Sequence, residues 1–454
     1  MIPLKNCFVF LLLLPCSMAN ISKFYWHTKR VVDHITQGAE KGEAMRFLEE
    51  LCDDFGPRQS GSRALESAID FVEATLKKDG FENVHTEKVK DIPYWVRGQD
   101  QIEMIEPRHH KLNILAVDGS PSGFVQAEAF VVRNFGELYR KNVVGKIVVV
   151  AEPYTSYGRA NMMRHAALTL QDEGAAAVLI NSATPFSLYT PHTGEGARGS
   201  RIPAACITNE EALMLHRLAK RGKKIVLRIN MRSRDMPYTV ESRNTVFEIK
   251  GSKKPSEIVL ISAHLDSWDV GQGAVDDGGG VAAIRTAMRA LKHFVDVDHR
   301  NRPERTIRAV FWTAEEQGYL GAKAYERAHL DENFVFVAET DQGAFRPRLL
   351  NSTLNFYGDT GKMFRIEEVA KLLQYNQIPL GVEYSDVQGD VFSIAAARSI
   401  PAVSFVPDKG TYYYFKYHHS QADYINAFEE GDLEYTAGIF AALAHVVANM
   451  DGWW

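Results

Sequence analysis

Cysteine is scarce in this chain, with four among 454 residues. Two of them, Cys7 and Cys16, lie in an amino-terminal apolar stretch; only Cys52 and Cys206 remain, which excludes a disulfide-stapled scaffold. Those two fall in differently patterned segments and stand either as a pair or as two buried free thiols. Long apolar runs are missing too. Phe8 to Leu14 falls far short of the roughly 20 residues that span a bilayer, and no other segment comes closer, so no membrane span is expected. Basic tracts are absent as well. With a formal net charge of −5, and with Lys220 to Lys224 as the densest basic cluster and legible as a solvated turn, nothing invites nucleic acid or an anionic membrane surface. No internal repeat or low-complexity tract interrupts the sequence.

Met1 to Ala19 has the make-up of a signal peptide. Lys5 is its only charge, an apolar core follows, and Ser17-Met18-Ala19 supplies the small residues of a cleavage site, with cut expected after Ala19. In a secretory setting Asn20-Ile21-Ser22 and Asn351-Ser352-Thr353 are sequons for N-glycosylation. The length predicts two domains, and 45% hydrophobic with 24% charged residues is the balance of a globular protein.

The chain is organised around Val259 to Gly280. Val259 to Ala263 is an uncharged run of β-formers, the pattern of a strand buried on both faces, and it stops at His264-Leu265-Asp266. Ligands gather where the strands of an open α/β sheet end. His264 is therefore placed as a metal ligand, and Asp266, two residues on, is placed to hold its imidazole from behind. Glycines then let the backbone fold tightly around Asp276 and Asp277 before Val281 opens a helix. Three later apolar runs end in similar fashion. Thr306 to Thr313 delivers Glu315 and Glu316, Phe334 to Ala338 delivers Glu339 and Asp341, and Pro401 to Val406 leads to His418, His419 and Asp423. Zinc takes histidine nitrogen and carboxylate oxygen, and a carboxylate bridging two ions about 3.5–4 Å apart leaves water between them as a nucleophile. Adjacent acids at 315 and 316 offer one ligand and one base.

In this order, H-L-D-S, D-D-G, A-E-E-x-G-x-x-G, E-T-D and H-H-S-x-x-D resemble the di-zinc exopeptidase family of bacterial secreted aminopeptidases and glutamate carboxypeptidase. The resemblance implies two Zn²⁺ per chain. One would be held by His264, Asp276 and Asp341, the other by Glu316, His419 and the bridging Asp276. It makes Glu315 the general base, Asp266 the partner of His264, and the substrate a small peptide, above all a dipeptide with free termini, attacked by a hydroxide between the metals. Relatives often carry tyrosine where this chain has His418, so the polarising of the scissile carbonyl would pass either to this imidazole or to nothing, His418 then being a hydrogen-bonded loop histidine. Secretion or residence in lysosomes, a homodimer, and a zymogen whose prosegment would run from Asn20 to about Gly42 are also implied.

The fold implied is α/β, a mixed, largely parallel sheet flanked by helices, with an inserted β-rich protease-associated domain. The expected division is 1–19 signal peptide, 20–114 peptidase domain, 115–233 insertion and 234–454 peptidase domain, with Arg234 to Arg243 as a polar linker and Met162 to Glu173 as one helix. Within the insertion, Tyr189 to Ser200 reads either as a lid over the site or as a surface loop. Two other functions fit parts of the pattern: a non-catalytic binding protein on the same scaffold, which would have lost ligands, and a single-zinc acyltransferase of the glutaminyl cyclase type, which would not need the insertion.

Overall fold

The computed structural model describes residues 21–182, 184–348, 351–387, 389–407 and 413–453. The expected signal peptide, its cleavage point and Asn20 lie outside the described residues.

Two sheets of eight strands make up the molecule. The first contains β1 (Glu82–Val96), β2 (Arg234–Ile249), β3 (Lys254–His264), β4 (Arg305–Trp312), β5 (Asn333–Thr340), β6 (Thr353–Tyr357), β7 (Gly381–Tyr384) and β8 (Ala402–Val406). Their spatial order is β1-β2-β4-β3-β5-β8-β6-β7. The four middle strands, β4, β3, β5 and β8, are mutually parallel, and the flanking pairs β2·β4 and β6·β8 are antiparallel. Every residue of β4 and of β8 is buried, and apart from Arg305, Thr306, Arg308 and Ser404 both strands are apolar. Helices Gly279–Val297 and Asp432–Asn449 pack together against one face, while Leu320–Ala328 and Val391–Arg398 cover the other over Val310, Trp312 and Val337. Because the middle strands run the same way, their carboxyl ends share one edge, and the loops that carry the acids and histidines all leave from it.

The second sheet holds eight strands between Gln101 and Met231, four of them parallel neighbours (Gly123–Val132, Ile147–Val150, Ala177–Asn181, Ala204–Ile207). Its first strand, Gln101–Glu106, lies upstream of the boundary expected at 115. Arg234 to Arg243 is not a linker: it is the first half of β2, paired with β1 from Val96↔Arg234 onward, and its polar side chains face solvent from a two-stranded ribbon. The helix expected over Met162 to Glu173 is two, Tyr157–Arg164 and Ala166–Leu170, parted at His165. Cys52 and Cys206 are separate buried thiols, pushed up by burial to about 12 and about 11. The stretch from Tyr25 to Thr36 is a helix with Val31, Val32 and Ile35 in the main core, packed on the closing helix rather than lying loosely on the surface.

Candidate metal centre

At the carboxyl edge of the first sheet, six acidic or imidazole side chains meet. His264 ends β3, opposite Trp312 of β4. Its Nδ1 lies 2.9 Å from the backbone carbonyl of Asp266, so Nδ1–H donates there and Nε2 is left as the free lone pair. That Nε2 sits 3.0 Å from Asp276 Oδ1 and 3.2 Å from Asp341 Oδ1. His419 mirrors the arrangement. Its Nδ1 is 3.1 Å from the carbonyl of Thr193, which belongs to the second sheet's loops, and its Nε2 is 3.2 Å from Asp276 Oδ2 and 3.1 Å from Glu316 Oε2. Asp276 thus faces one histidine with each oxygen.

Local backbone conformation sets these directions. His419 has φ 57°, Ala314 φ 55° and Tyr319 φ 61°, left-handed values that non-glycine residues adopt at a cost and that cluster here around the functional turns. Asp277 turns away from Asp276: its Oδ1 accepts from Gly280 N–H and its Oδ2 from His264 N–H. A Cβ at position 280 would lie 2.3 Å from Asp277 Oδ1, so the carboxylate needs glycine beneath it. Asp423 fixes the same loop from the far side, accepting from Val275 N–H at 2.6 Å and Asp276 N–H at 3.3 Å.

Asp266 stands behind His264, but its carboxylate is 3.8 Å from Nδ1. The carbonyl of the same residue has taken that hydrogen bond, and the carboxylate accepts instead from the backbone N–H groups of Glu315 and Glu316, at 3.1 and 3.4 Å. It orients the two glutamates. Glu315 points into the cavity beside Asp341 and Glu316. Burial, reinforced by those two acids and opposed by His264, pushes its carboxyl well above the usual range. Burial also raises Glu316, to about 7. Asp276 goes the other way, since the two imidazoles facing its oxygens outweigh its burial. His418 lines the cavity with neither ring nitrogen hydrogen-bonded, and burial keeps it neutral well below the normal imidazole pKa.

Residues that spacing did not single out complete the frame. Arg58 is fully buried with no carboxylate partner among the described residues; its guanidinium donates to the carbonyls of Leu265, Gln272, Gly273 and Gly56, clamping both ends of the loop between His264 and Asp276. Its only sequence trace is a Gly-Pro-Arg turn. Arg97 pairs with Asp269 at 2.7 Å and donates to Ala116 O and Thr193 Oγ1, tying this loop to the second sheet. The segment from Tyr189 to Ser200 docks against the centre, with His192 and Thr193 fully buried and His192 bridged to Ser420. Tyr414 and Phe415 of the aromatic run wall the cavity; Tyr412 lies outside the described residues.

The donor set suits a divalent cation. His264, Asp276 and Glu316 form one group, and His264, Asp277 and Asp341 another, in which one ligand atom from each residue lies within 4.8 Å of the rest. Asp276 Oδ2 and Glu316 Oε1 are buried without a hydrogen-bond donor. Buried anionic oxygens without donors are costly unless a cation meets them.

The sheet, the strand-end ligands and the sequence itself define a class. Residues 244–444 match the model of peptidase family M28, and the chain belongs to that family: it is a metallo-exopeptidase. Within the family it is similar to carboxypeptidase Q of Bos taurus, 41% identical over 434 residues that cover 93% of this chain and 89% of the relative. An M28 peptidase precursor from Shewanella amazonensis, 28% identical, superimposes with a TM-score of 0.85 over 95% of this chain and 98% of that one. The zinc aminopeptidase of Bacillus subtilis shares the fold, at TM-score 0.65 and 17% identity over 89% and 94% of the two chains.

Proposed function

We propose that the protein is a secreted zinc exopeptidase that hydrolyses small peptides with free termini, dipeptides in particular. The observation that carries this reading is Asp276, whose two oxygens face two different histidines at 3.0 and 3.2 Å. Two Zn²⁺ per chain, one among His264, Asp276 and Asp341 and the other among Asp276, Glu316 and His419, would supply Lewis acidity and lower the pKa of water. The chain's own groups do the rest. Carbonyls hold both histidines in the tautomer that keeps Nε2 basic. Asp266 fixes the backbone beneath Glu315, whose carboxylate is left to accept the proton of the attacking water and return it to the leaving amine. His418, neutral and with neither ring nitrogen hydrogen-bonded, would donate to the scissile carbonyl oxygen in this reading.

Support for small substrates comes from the cavity, about 140 Å³ and walled by Tyr157, Trp268, Tyr414 and Phe415. For a dipeptide the distinction between amino- and carboxypeptidase disappears, because one cut frees both ends. Passage through the secretory pathway, with lysosomal residence, a glycan on the exposed Asn351 and a homodimer, belongs to the same proposal. So does the division into a discontinuous peptidase domain and a protease-associated insertion over 115–233. The close approach of His264, Asp276, Glu316, Asp341 and His419 supports a catalytic site over a non-catalytic scaffold. The test is hydrolysis of unblocked dipeptides by the native protein and by Glu315→Gln. Near-complete loss of turnover with metal content kept is expected; retained turnover would remove Glu315 as the base.

A further inference from the structure

His85 and Glu87 stand two residues apart on β1, so both project from one face of that strand, and His329 caps the carboxyl end of the helix Leu320–Ala328 beside them. None of the three lines the catalytic cavity. Their Nε2 atoms converge. Nε2 of His85 and Nε2 of His329 each lie 3.0 Å from the same carboxylate oxygen, Glu87 Oε1, and His329 Nε2 is also 3.0 Å from Oε2. The opposite ring nitrogens are fixed from behind. Nδ1 of His85 lies 2.9 Å from the carbonyl of Asn83, and Nδ1 of His329 lies 3.0 Å from Glu332 Oε2, a carboxylate that Arg308 holds in turn. Tyr325 packs on the His329 ring, with centroids 4.1 Å apart.

The catalytic centre has the same pattern: carbonyls hold Nδ1 of His264 and of His419, and both Nε2 atoms meet Asp276. An oxygen behind each imidazole orients the ring and leaves Nε2 as the ligand, as in metal-binding histidines generally. All four ring nitrogens of His85 and His329 face oxygen acceptors. A neutral imidazole has one N–H, so either each ring carries a second proton or a metal ion stands between Nε2 and the carboxylate. Two imidazoles and a carboxylate suit zinc, whereas calcium and magnesium take oxygen. Glu87 and His329 also line a cavity of about 430 Å³, which gives an ion and its water access. The set is more open than the groups at the catalytic centre, whose ligand atoms lie within 4.8 Å of one another. Zinc takes nitrogen at about 2.0–2.1 Å, so the rings draw in around it, and His85, its side chain 40% exposed, has room to move.

We propose that His85, Glu87 and His329 bind a zinc ion at a site separate from the catalytic centre, and that this ion fastens β1 to the helix Leu320–Ala328. Solvent completes its coordination, and the half-exposed ligands hold it less tightly than the buried centre holds its own metal. The fastening acts through the helix. The N-cap of that helix, Tyr319, lines the catalytic cavity and follows directly on the turn that carries Glu315 and Glu316. An ion at the helix's far end therefore steadies that turn.

The test uses the full chain, dialysed against zinc-free buffer so that the buried centre keeps its metal and the half-exposed site empties, then titrated with ZnCl₂ by calorimetry. Native protein is compared with His85→Asn and Glu332→Gln. Native protein should take up one further Zn²⁺ per chain with micromolar affinity, and millimolar Ca²⁺ should not compete. His85→Asn should weaken that binding by roughly 100-fold, and Glu332→Gln, which removes only the charge behind His329, by roughly 10-fold. Added Zn²⁺ should raise the melting temperature of native protein and leave that of His85→Asn unchanged. Neither substitution touches a ligand of the catalytic centre, so the difference between native protein and variant counts this site alone, whether or not the centre at Asp276 hydrolyses peptides. Equal uptake at equal affinity in native protein and His85→Asn overturns the proposal and leaves an imidazolium–carboxylate network only. Native uptake no tighter than millimolar overturns it too. If Glu332→Gln fails to fold, the comparison of native protein with His85→Asn decides.

Discussion

Asp276 and His419 belong to loops 143 positions apart in the chain, yet Asp276 Oδ2 and His419 Nε2 approach to 3.2 Å, while the other oxygen of the same carboxylate contacts His264 at 3.0 Å. Two hydrogen-bonded backbone N–H groups, at Val275 and Asp276, hold that geometry through Asp423. Asp276→Asn keeps the shape and removes the negative charge that both histidine sites share. Metal affinity should fall by more than the roughly 10- to 100-fold that follows loss of an outer partner. Titration of the metal-free protein with Zn²⁺ measures it, and affinity equal to native would show that Asp276 bridges nothing.

Arg58 gives a stability prediction. Its guanidinium is fully buried and spends its donors on four carbonyls, three of them in the loop from Leu265 to Gly273. Arg58→Met fills most of the volume but leaves those carbonyls without donors. Unfolding free energy should drop by about 3 kcal/mol, with hydrolysis lowered in parallel because the loop positions His264 and Asp276. Urea denaturation checks the first part, and an unchanged midpoint would contradict it.

How legible this centre was depends on the kind of contact. His264, Glu316 and Asp341 lie at or within four residues of the ends of strand-like runs, which put them at one sheet edge, and the helices at Gly279 and Asp432 were readable from their apolar spacing. Arg58 and Thr193 were not readable, because a side chain bonding to distant carbonyls, or a carbonyl accepting from a distant imidazole, leaves no spacing in the chain. Asp266 misled in a different way. Its position behind His264 was legible, but which of its oxygens would take Nδ1–H is decided by the turn to Glu315, not by the interval between residues. Arg234 to Arg243 looked like a linker for the reason that solvent-facing ribbons carry polar residues on both faces.

Acidity should loosen the amino-terminal helix. His27 stacks on His445 of the closing helix with ring centroids 3.9 Å apart, beside Phe294 and with Phe24 on the edge of His445. Burial, aided by the charge of Arg30, pushes His27 down to about 4; burial, aided by His27, pushes His445 well below its usual range. Both folded-state values lie under the unfolded value near 6.5, so as pH falls the unfolded chain takes up protons first. The stability contribution is complete above about 6.5 and is lost on descending towards about 4, by about 2 kcal/mol for His27. Urea midpoints between pH 7 and 4.5 should fall less steeply in His27→Phe than in native protein. Identical slopes would exclude this pair as the source.

Elemental analysis of the purified full chain tests the central claim most directly, because everything proposed for Glu315 presupposes cations among His264, Asp276, Glu316, Asp341 and His419. The expected result is two zinc ions per chain in native protein, two in Glu315→Gln and fewer in His419→Ala, with dipeptide hydrolysis abolished by a chelator and restored by Zn²⁺. Native material that hydrolyses dipeptides while containing no transition metal would contradict it.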